Sequence, residues 1–420
     1  MKINTKILEQ SSNWLSLFFL LYLSLIASLF LGENSTGGAI IDYTNQKKIS
    51  KDFSLNFLDT LMNYDKYTTR HSPILIIFLS FFEKLNFSDL LIRFIHLNAC
   101  LILPIYFFKS LKLVIKDKII IFFLVSLIFI SPTFRTLAVW PDSRILGLAF
   151  FTMSIYEYLK FHKKKKFINC IRNIILLSIS AYISPNFSLF SIFFFIKYLV
   201  FYKNNLKNIS LIIILNIVLS LPAFIYLMNL ETNFLLKTAA TNLDEKSNFI
   251  FKNIFNNILL ITTIIFFYIF PFYALKIFKF NLNKKLIQNI LFSISLFIIC
   301  LFFFDYKYDY TGGGFFFKTS YIFFENNYLF YLISLISIFI VFNFLNLKLD
   351  NYILIILLIL SNPQITVYHK YYDPLLLILF FTLSNIKINI EVLKNFKNKV
   401  FLYLYFFIFL TLSNLKLYVL

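Results

Sequence analysis

The sequence is poor in charge, glycine, proline and cysteine, and each shortage excludes a class of protein. Only 14% of its 420 residues are charged, against about a quarter in ordinary soluble domains. Seven glycines and nine prolines exclude collagen-like and linker-like chains, which are biased toward these residues. The three cysteines, at positions 100, 170 and 300, lie far apart in apolar runs. Neither a disulfide framework nor a CxxC metal site is therefore available.

Apolar residues, by contrast, are in excess. The chain is 59% hydrophobic and 20% aromatic, with a mean hydropathy of +0.77. A spanning helix needs about 20 mostly apolar residues, and we therefore predict an all-α polytopic membrane protein with about 11–13 transmembrane helices. The thirteen candidate runs are residues 14–31, 89–108, 119–132, 143–159, 167–183, 188–201, 210–228, 254–277, 286–304, 328–347, 352–367, 374–384 and 400–415.

The placement of the lysines predicts the orientation. The formal charge is +20, which in a soluble protein would suggest a nucleic-acid partner, but the lysines cluster in every second loop between apolar runs. Examples are residues 109–118, 160–166 and 394–399. The positive-inside rule places these loops and the amino terminus in the cytoplasm, and we predict a bacterial inner-membrane protein. No nucleic-acid partner is expected.

The alternation of the lysine-rich loops also predicts whether residues 71–85 cross the membrane. If this apolar stretch crossed the membrane, the next lysine clusters would be exported. We therefore predict that Pro73 to Lys84 forms an amphipathic helix in the membrane interface. It would belong to a periplasmic first loop, residues 33–87, that carries interfacial helices.

Two aspartates in the outward loops are the candidate catalytic residues. Asp42 follows Gly37-Gly38 and a short apolar run, which places a carboxylate close to the membrane surface. Asp142 lies between Arg135 and Arg144 in a short loop at the mouth of two helices. An ionisable cluster at a membrane-embedded helix end indicates a functional site; the alternative is that Asp142 caps a helix and pairs locally with Arg144.

Further cationic residues of the outward loops are candidates for binding a phosphate. The alternatives are headgroup anchoring by Arg70 and His71, and an interfacial girdle for the tyrosines. A triple glycine before one of the lysines, residues 312–314, can cradle an anion with its amides. The candidates are Arg70, His71, Arg135, Arg144, Lys318, His369 and Lys370 of the outward loops and Arg93 near the outward end of the second span, with Tyr371 beside Lys370.

With a long first outward loop and a short second one, each carrying an acid, the chain resembles the GT-C membrane glycosyltransferases. It is most similar to the protein mannosyltransferases, the lipid A aminoarabinose transferase and the RgtA/B/C/D-like enzymes. Asp42 matches their first-loop aspartate by position, and His71-Ser72-Pro73 is similar to their His-Pro-Pro-like element. The resemblance usefully covers about the first 200 residues. It implies a GT-C-like catalytic module at 1–228 and variable carboxy-terminal helices at 229–420, with outward loops 305–327 and 367–374.

The resemblance also implies a function. A polyprenyl-phosphate-linked sugar is the donor, and the sugar passes to an unknown acceptor, a cell-envelope glycan, lipid or protein, on the periplasmic face. Asp42 is then the general base and Asp142 an orienting or assisting carboxylate. Tyr43 follows Asp42 where the family has a second acid, and the second motif has one carboxylate. We therefore expect a metal-independent site without a cofactor.

Two other functional classes are open at this point. A multi-span transporter or a flippase for lipid-linked sugars is the main alternative, which would place ionisable residues near the middle of spans and repeat broken helices in two halves. Here the charges crowd the outward ends. The other alternative is a non-catalytic membrane subunit of an envelope-polysaccharide system.

Overall fold

The computed structural model describes residues 5–67, 69, 71–229, 253–277, 286–308, 312–345, 348–364, 366–386 and 388–419. Across these residues the chain forms helices joined by short turns, without a strand, which confirms the all-α prediction. The α-helices are α1 Thr5–Leu31, α2 Ala39–Leu55, α3 Phe57–Met62, α4 Pro73–Lys84, α5 Asp89–Cys100, α6 Ile102–Val114, α7 Lys118–Phe129, α8 Pro132–Val139, α9 Ser143–Lys164, α10 Phe167–Ile183, α11 Ser191–Tyr202, α12 Leu206–Asn229, α13 Ile254–Ala274, α14 Leu286–Phe302, α15 Gly314–Phe324, α16 Tyr328–Leu345, α17 Leu349–Leu360, α18 Leu375–Thr382 and α19 Phe396–Val419.

The protein is a multi-pass membrane protein, but its apolar runs differ in length. Within the described ranges, six spans are long and apolar enough to cross a bilayer alone, and α7 with α8 passes only as a bent pair. Four further apolar helices have 10–17 residues, and α18 has eight. Of the thirteen runs expected from the sequence, several are therefore helices shorter than the roughly 20 residues of a full span.

The bend between α7 and α8 is stabilised by a serine cap and a proline at the start of α8. The two helix axes differ by 59°. Ser131 caps α8, because its hydroxyl accepts the Phe134 N–H at 3.0 Å, and Pro132 occupies the first helical position, where its missing N–H does no harm. The break lets α8 run on to the loop that carries Asp142.

Helix α4 begins at Pro73 and ends at Lys84, as expected. Its 12 residues extend only about 18 Å, well short of a hydrocarbon core of about 30 Å. Leu75, Leu79 and Phe82 pack against Tyr43 of α2. The opposite face exposes apolar side chains: Ile74, Phe78, Phe81 and Leu85. Helix α4 is therefore too short to span, and it packs one apolar face against α2 and leaves the other apolar face exposed.

Helix α9 shows where the candidate site lies relative to the lysine-rich loop. Asp142 caps its amino end, and the basic residues Lys163 and Lys164 lie in its last turn. With 22 residues the helix is about 33 Å long. The candidate site and the lysine-rich loop therefore lie at opposite ends of a helix as long as a bilayer core is thick.

Candidate functional site

Asp42 lies in the first turn of α2. The chain turns sharply just before this helix, and both Gly37 and Gly38 have positive φ, 67° and 73°, a conformation that costs glycine little. Helix α2 then begins at Ala39. A carboxylate in the first turn interacts favourably with the positive end of the helix dipole. Asp42 remains about one-quarter exposed.

Lys370 forms an ion pair with Asp42, although 328 residues separate the two in sequence. Its ammonium Nζ lies 3.2 Å from Asp42 Oδ2. The side chain of Lys370 is 7% exposed, and it is held in a 3-10 turn of residues His369–Tyr371. A nearly buried ammonium needs a counter-charge, and Asp42 supplies it. The carboxy-terminal part of the chain thus contributes directly to the candidate site.

Asp142 is buried and surrounded by positive charge. Its Oδ1 accepts the backbone N–H of Arg144 at 2.7 Å, so the carboxylate caps α9. Burial alone would raise the pKa of Asp142, but Arg144, His71 and Lys370 together outweigh it and hold the pKa below its usual value. Lys370 therefore lies within electrostatic reach of Asp142 while it is paired with Asp42.

His71 and Arg144 complete this group. His71 Nδ1 lies 3.4 Å from the hydroxyl of Ser143, next to Asp142 in sequence. The guanidinium carbon of Arg144 lies 3.7 Å from the ring centre of Tyr371, a cation–π arrangement. The side chains of Asp42, Asp142, His71, Arg144, Lys370 and Tyr371 thus form one cluster, which we call the two-carboxylate site.

The two-carboxylate site combines two kinds of chemistry. A partly exposed carboxylate can accept a proton from a hydroxyl group. Cations at fixed positions can bind a phosphate and stabilise the charge that develops on it as it leaves.

No family model, no curated protein and no solved structure matches the chain.

Arg135 has a different role from the phosphate ligand expected for it. Its guanidinium binds Glu33 with Nε 3.0 Å from both carboxylate oxygens and Nη2 2.8 Å from Oε2. Nη1 donates to the Ser24 hydroxyl at 3.0 Å, and Nη2 also contacts Ser28. Arg135 therefore joins α8 to α1 and to the loop after it, and its donors are occupied.

Breaking this buried pair should destabilise the protein. Both side chains of the pair are about one-tenth exposed, so Glu33→Gln leaves the Arg135 charge buried without its partner. We expect a loss of about 3–5 kcal/mol of stability, measured as unfolding in mixed detergent. Glu391→Gln, which breaks a far more exposed pair with Lys394, is the control and should change stability by less than about 1 kcal/mol. Equal losses would contradict this role.

Arg93 is also used within the fold. Its Nε donates to the Val139 carbonyl at 3.0 Å and its Nη2 to the Leu29 carbonyl at 3.3 Å. The guanidinium lies 3.5 Å from the ring centre of Trp140. His96, on the same face of α5, is buried and lies 2.9 Å from the Leu137 carbonyl. Both residues thus fix α8 and the loop that leads to Asp142.

His369 does not fit a cationic clamp. Its ring lies among aromatic rings, with centroids 5.2 Å from Phe267 and 4.9 Å from Phe409. Among the described residues, neither ring nitrogen has a hydrogen-bond partner. Burial lowers the pKa of His369 to about 3. A neutral imidazole cannot supply charge to a phosphate at neutral pH.

The triple glycine serves close packing. A Cβ on Gly312 would lie 2.5 Å from the Val367 carbonyl oxygen, and the Gly313 N–H donates to that oxygen at 2.8 Å. The Gly313 amide is therefore engaged by the chain itself. Lys318 donates to the Tyr308 carbonyl, and its ammonium lies 4.1 Å from the Tyr308 ring centre. Arg70 lies outside the described residues.

Two important acids were missed by the sequence reasoning. Glu33, the partner of Arg135, reads as one polar residue of a loop. Asp373 is buried, and its Oδ2 accepts the Ser131 hydroxyl at 2.6 Å and the Thr133 N–H at 3.0 Å. It thus caps α8 from 240 residues away. The only available signal was that Asp373 directly precedes a proline and a long apolar run.

The described residues contain no group of three or more histidines, cysteines or acids placed to hold a metal ion. Both carboxylates of the two-carboxylate site have cationic side chains as neighbours: Lys370 for Asp42, and Arg144 for Asp142.

Proposed function

We propose that the protein is a membrane glycosyltransferase. It moves a sugar from a polyprenyl-phosphate donor to a cell-envelope acceptor, on the membrane face opposite the lysine-rich loops. One observation carries the proposal: Lys370 pairs with Asp42 at 3.2 Å and also lowers the pKa of the buried Asp142. Two acids 100 positions apart in sequence thus share one cation, at the end of α9 opposite the lysine-rich loop. The resemblance to GT-C enzymes supports the same conclusion. We also propose that the protein lies in a bacterial inner membrane with its amino terminus in the cytoplasm.

In the proposed mechanism, Asp42 takes the proton of the acceptor hydroxyl as that oxygen attacks the anomeric carbon. The bond from the anomeric carbon to the phosphate oxygen breaks, and Lys370 and Arg144 stabilise the leaving phosphate. Asp142 holds Arg144 and Lys370 in place electrostatically. A single displacement with one base and no covalent carboxylate inverts the anomeric configuration.

Purified protein in proteoliposomes tests the proposal. Undecaprenyl phosphate carrying radiolabelled glucose, mannose, galactose or aminoarabinose is supplied with an extract of envelope acceptors. We expect transfer from at least one donor, with release of undecaprenyl phosphate. Failure to transfer from every donor, in membranes where the protein is folded, would contradict the proposal.

Transfer should not depend on a divalent metal. A metal ion bound to Asp42 would have to displace the Lys370 ammonium, which already neutralises that carboxylate. We expect EDTA to change the rate of transfer by less than about twofold, because the cationic side chains supply the charge that a metal would supply elsewhere. A loss that Mg²⁺ or Mn²⁺ restores would show that the lysine yields its place to a metal.

A transporter or flippase of lipid-linked sugars is the second candidate. The 59° break between α7 and α8 favours it, because discontinuous helices line the substrate sites of many transporters. The same proteoliposomes distinguish the two. A flippase moves the labelled lipid between leaflets and leaves its sugar attached, whereas a transferase breaks the bond to the sugar.

A further inference from the structure

An uncharged polar cluster adjoins the two-carboxylate site. Its side chains come from the turn after α10, the first turn of α13 and the segment after α17. The Asn186 amide donates to the Ser361 carbonyl at 2.8 Å and to Asn362 Oδ1 at 2.5 Å. The Asn257 amide donates to the Asn362 carbonyl at 3.1 Å. We call Asn186, Asn257, Ser361, Asn362, Gln364 and Tyr372 the amide cluster.

Part of the hydrogen-bonding capacity of the amide cluster is unused. Asn257 is 2% exposed and Tyr372 is fully buried. In the described part of the chain, Asn257 Oδ1 has no hydrogen-bond partner, whereas the Tyr372 hydroxyl has the side chain of Asn362 as a polar neighbour. Buried polar atoms are normally paired, so an unpaired one next to a charged site is a candidate contact for a ligand. A free amide oxygen can accept a hydrogen bond from a hydroxyl group of that ligand.

Tyr371 joins the amide cluster to the charged groups. Its hydroxyl donates to Gln364 Oε1 at 3.1 Å, while its ring supports the guanidinium of Arg144 at 3.7 Å. Cations therefore lie on one side of Tyr371 and uncharged amides on the other. A ligand with an anionic end and a neutral hydroxylated end fits this division.

We propose that the amide cluster binds the sugar of the lipid-linked donor, while Lys370 and Arg144 bind its phosphate. The inference rests on the proposed function and adds the sugar subsite to it. Amide and phenol groups both donate and accept hydrogen bonds and add no charge, so the subsite selects an uncharged, hydroxylated ring. A sugar hydroxyl would donate the hydrogen bond that Asn257 Oδ1 lacks.

The test compares lipid binding by four folded proteins in detergent: the wild type, Asn186→Ala, Asn257→Ala and a control. Asn173→Ala is the matched control, because Asn173 is fully buried, its amide makes one bond, to the Ser154 carbonyl midway along α9, and its Oδ1, like that of Asn257, has no partner among the described residues, while it lies away from the charged groups. The probes are undecaprenyl phosphate alone and the same lipid carrying glucose, mannose, galactose or aminoarabinose. Asn186 is only part-buried, so its variant carries the test if Asn257→Ala does not fold.

We expect at least one of the uncharged sugars, glucose, mannose or galactose, to improve binding by about tenfold or more over the bare lipid phosphate; a gain from aminoarabinose alone, whose amine is charged, would overturn the uncharged subsite. Asn186→Ala and Asn257→Ala should remove most of that gain and change affinity for the bare lipid by less than about twofold; Asn173→Ala should retain it. A wild type that binds the bare lipid and gains from no sugar, or a gain that survives both variants, overturns the subsite alone. A wild type that binds none of these lipids overturns the proposed function and the subsite with it.

Discussion

Asp42→Asn is expected to lower the rate of sugar transfer by about 10²–10⁴-fold, the contribution typical of a general base. The amide keeps the size of the side chain and one oxygen for the N–H or ammonium donors around it, but it cannot take the acceptor's proton. The variant leaves the nearly buried Lys370 ammonium without its counter-charge, so some loss of stability is expected, but Asp42 is about one-quarter exposed and the new amide oxygen can still accept a hydrogen bond from that ammonium. The measurement is initial transfer from the active donor in proteoliposomes, with thermal unfolding of the same samples.

The control for this variant is Asp59→Asn. Asp59 lies on α3, in the same segment between α1 and α4, and accepts a local hydrogen bond from Asn63 at 3.0 Å. Transfer by Asp59→Asn should stay within about twofold of wild type, as expected for a surface position away from the chemistry. If Asp42→Asn retained normal transfer, Asp42 would not be the base and the proposed mechanism would be wrong.

Lys370→Met is expected to lower transfer by about 10²–10³-fold, similar to the loss of one charge-stabilising donor in other enzymes. Methionine keeps much of the apolar stem and removes the ammonium. In the proposed reaction that ammonium leaves Asp42 when the donor phosphate arrives, which frees Asp42 to act as a base. The variant should also bind undecaprenyl phosphate more weakly.

Lys160→Met is the matched control for the lysine variant. Lys160 is also largely shielded, with 19% of its side chain exposed, and pairs with a carboxylate, Glu157, at 2.9 Å, but it lies toward the lysine-rich end of α9. We expect it to retain transfer and lipid affinity within about twofold. Equal losses in the two lysine variants would show a general effect of breaking ion pairs, and Lys370 would lose its special role.

The sequence was sufficient for the fold class because period and composition are local properties. Apolar runs and lysine-rich loops predicted helices such as α1 and α13, and the alternation of the lysine clusters predicted a non-spanning helix at residues 73–84, which is α4. The number of full spans was less accessible, because a run such as residues 374–384 reads as a span but forms only the eight-residue α18. Tertiary contacts end such helices, and no local pattern records them.

For the site, too, local sequence features were predictable and long-range contacts were not. Asp42 and Asp142 were predicted from their loops, and the cluster contains both. Which cations accompany them was not predictable, because Arg93, Arg135 and Lys370 are equivalent in sequence terms. Their roles depend on long-range partners: Val139 for Arg93, Glu33 for Arg135 and Asp42 for Lys370. Each partner lies 46 to 328 positions away.

The affinity of four proteins for undecaprenyl phosphate is the most direct test that Asp42 and a lipid phosphate share Lys370. The proteins are the wild type, Asp42→Asn, Lys370→Met and the double variant. Asp42→Asn should bind the lipid about tenfold more tightly, because Lys370 is released and one negative charge is removed. In the Lys370→Met background this gain should shrink by at least about threefold. The same gain in both backgrounds, or weaker binding by Asp42→Asn, would contradict the shared-cation site.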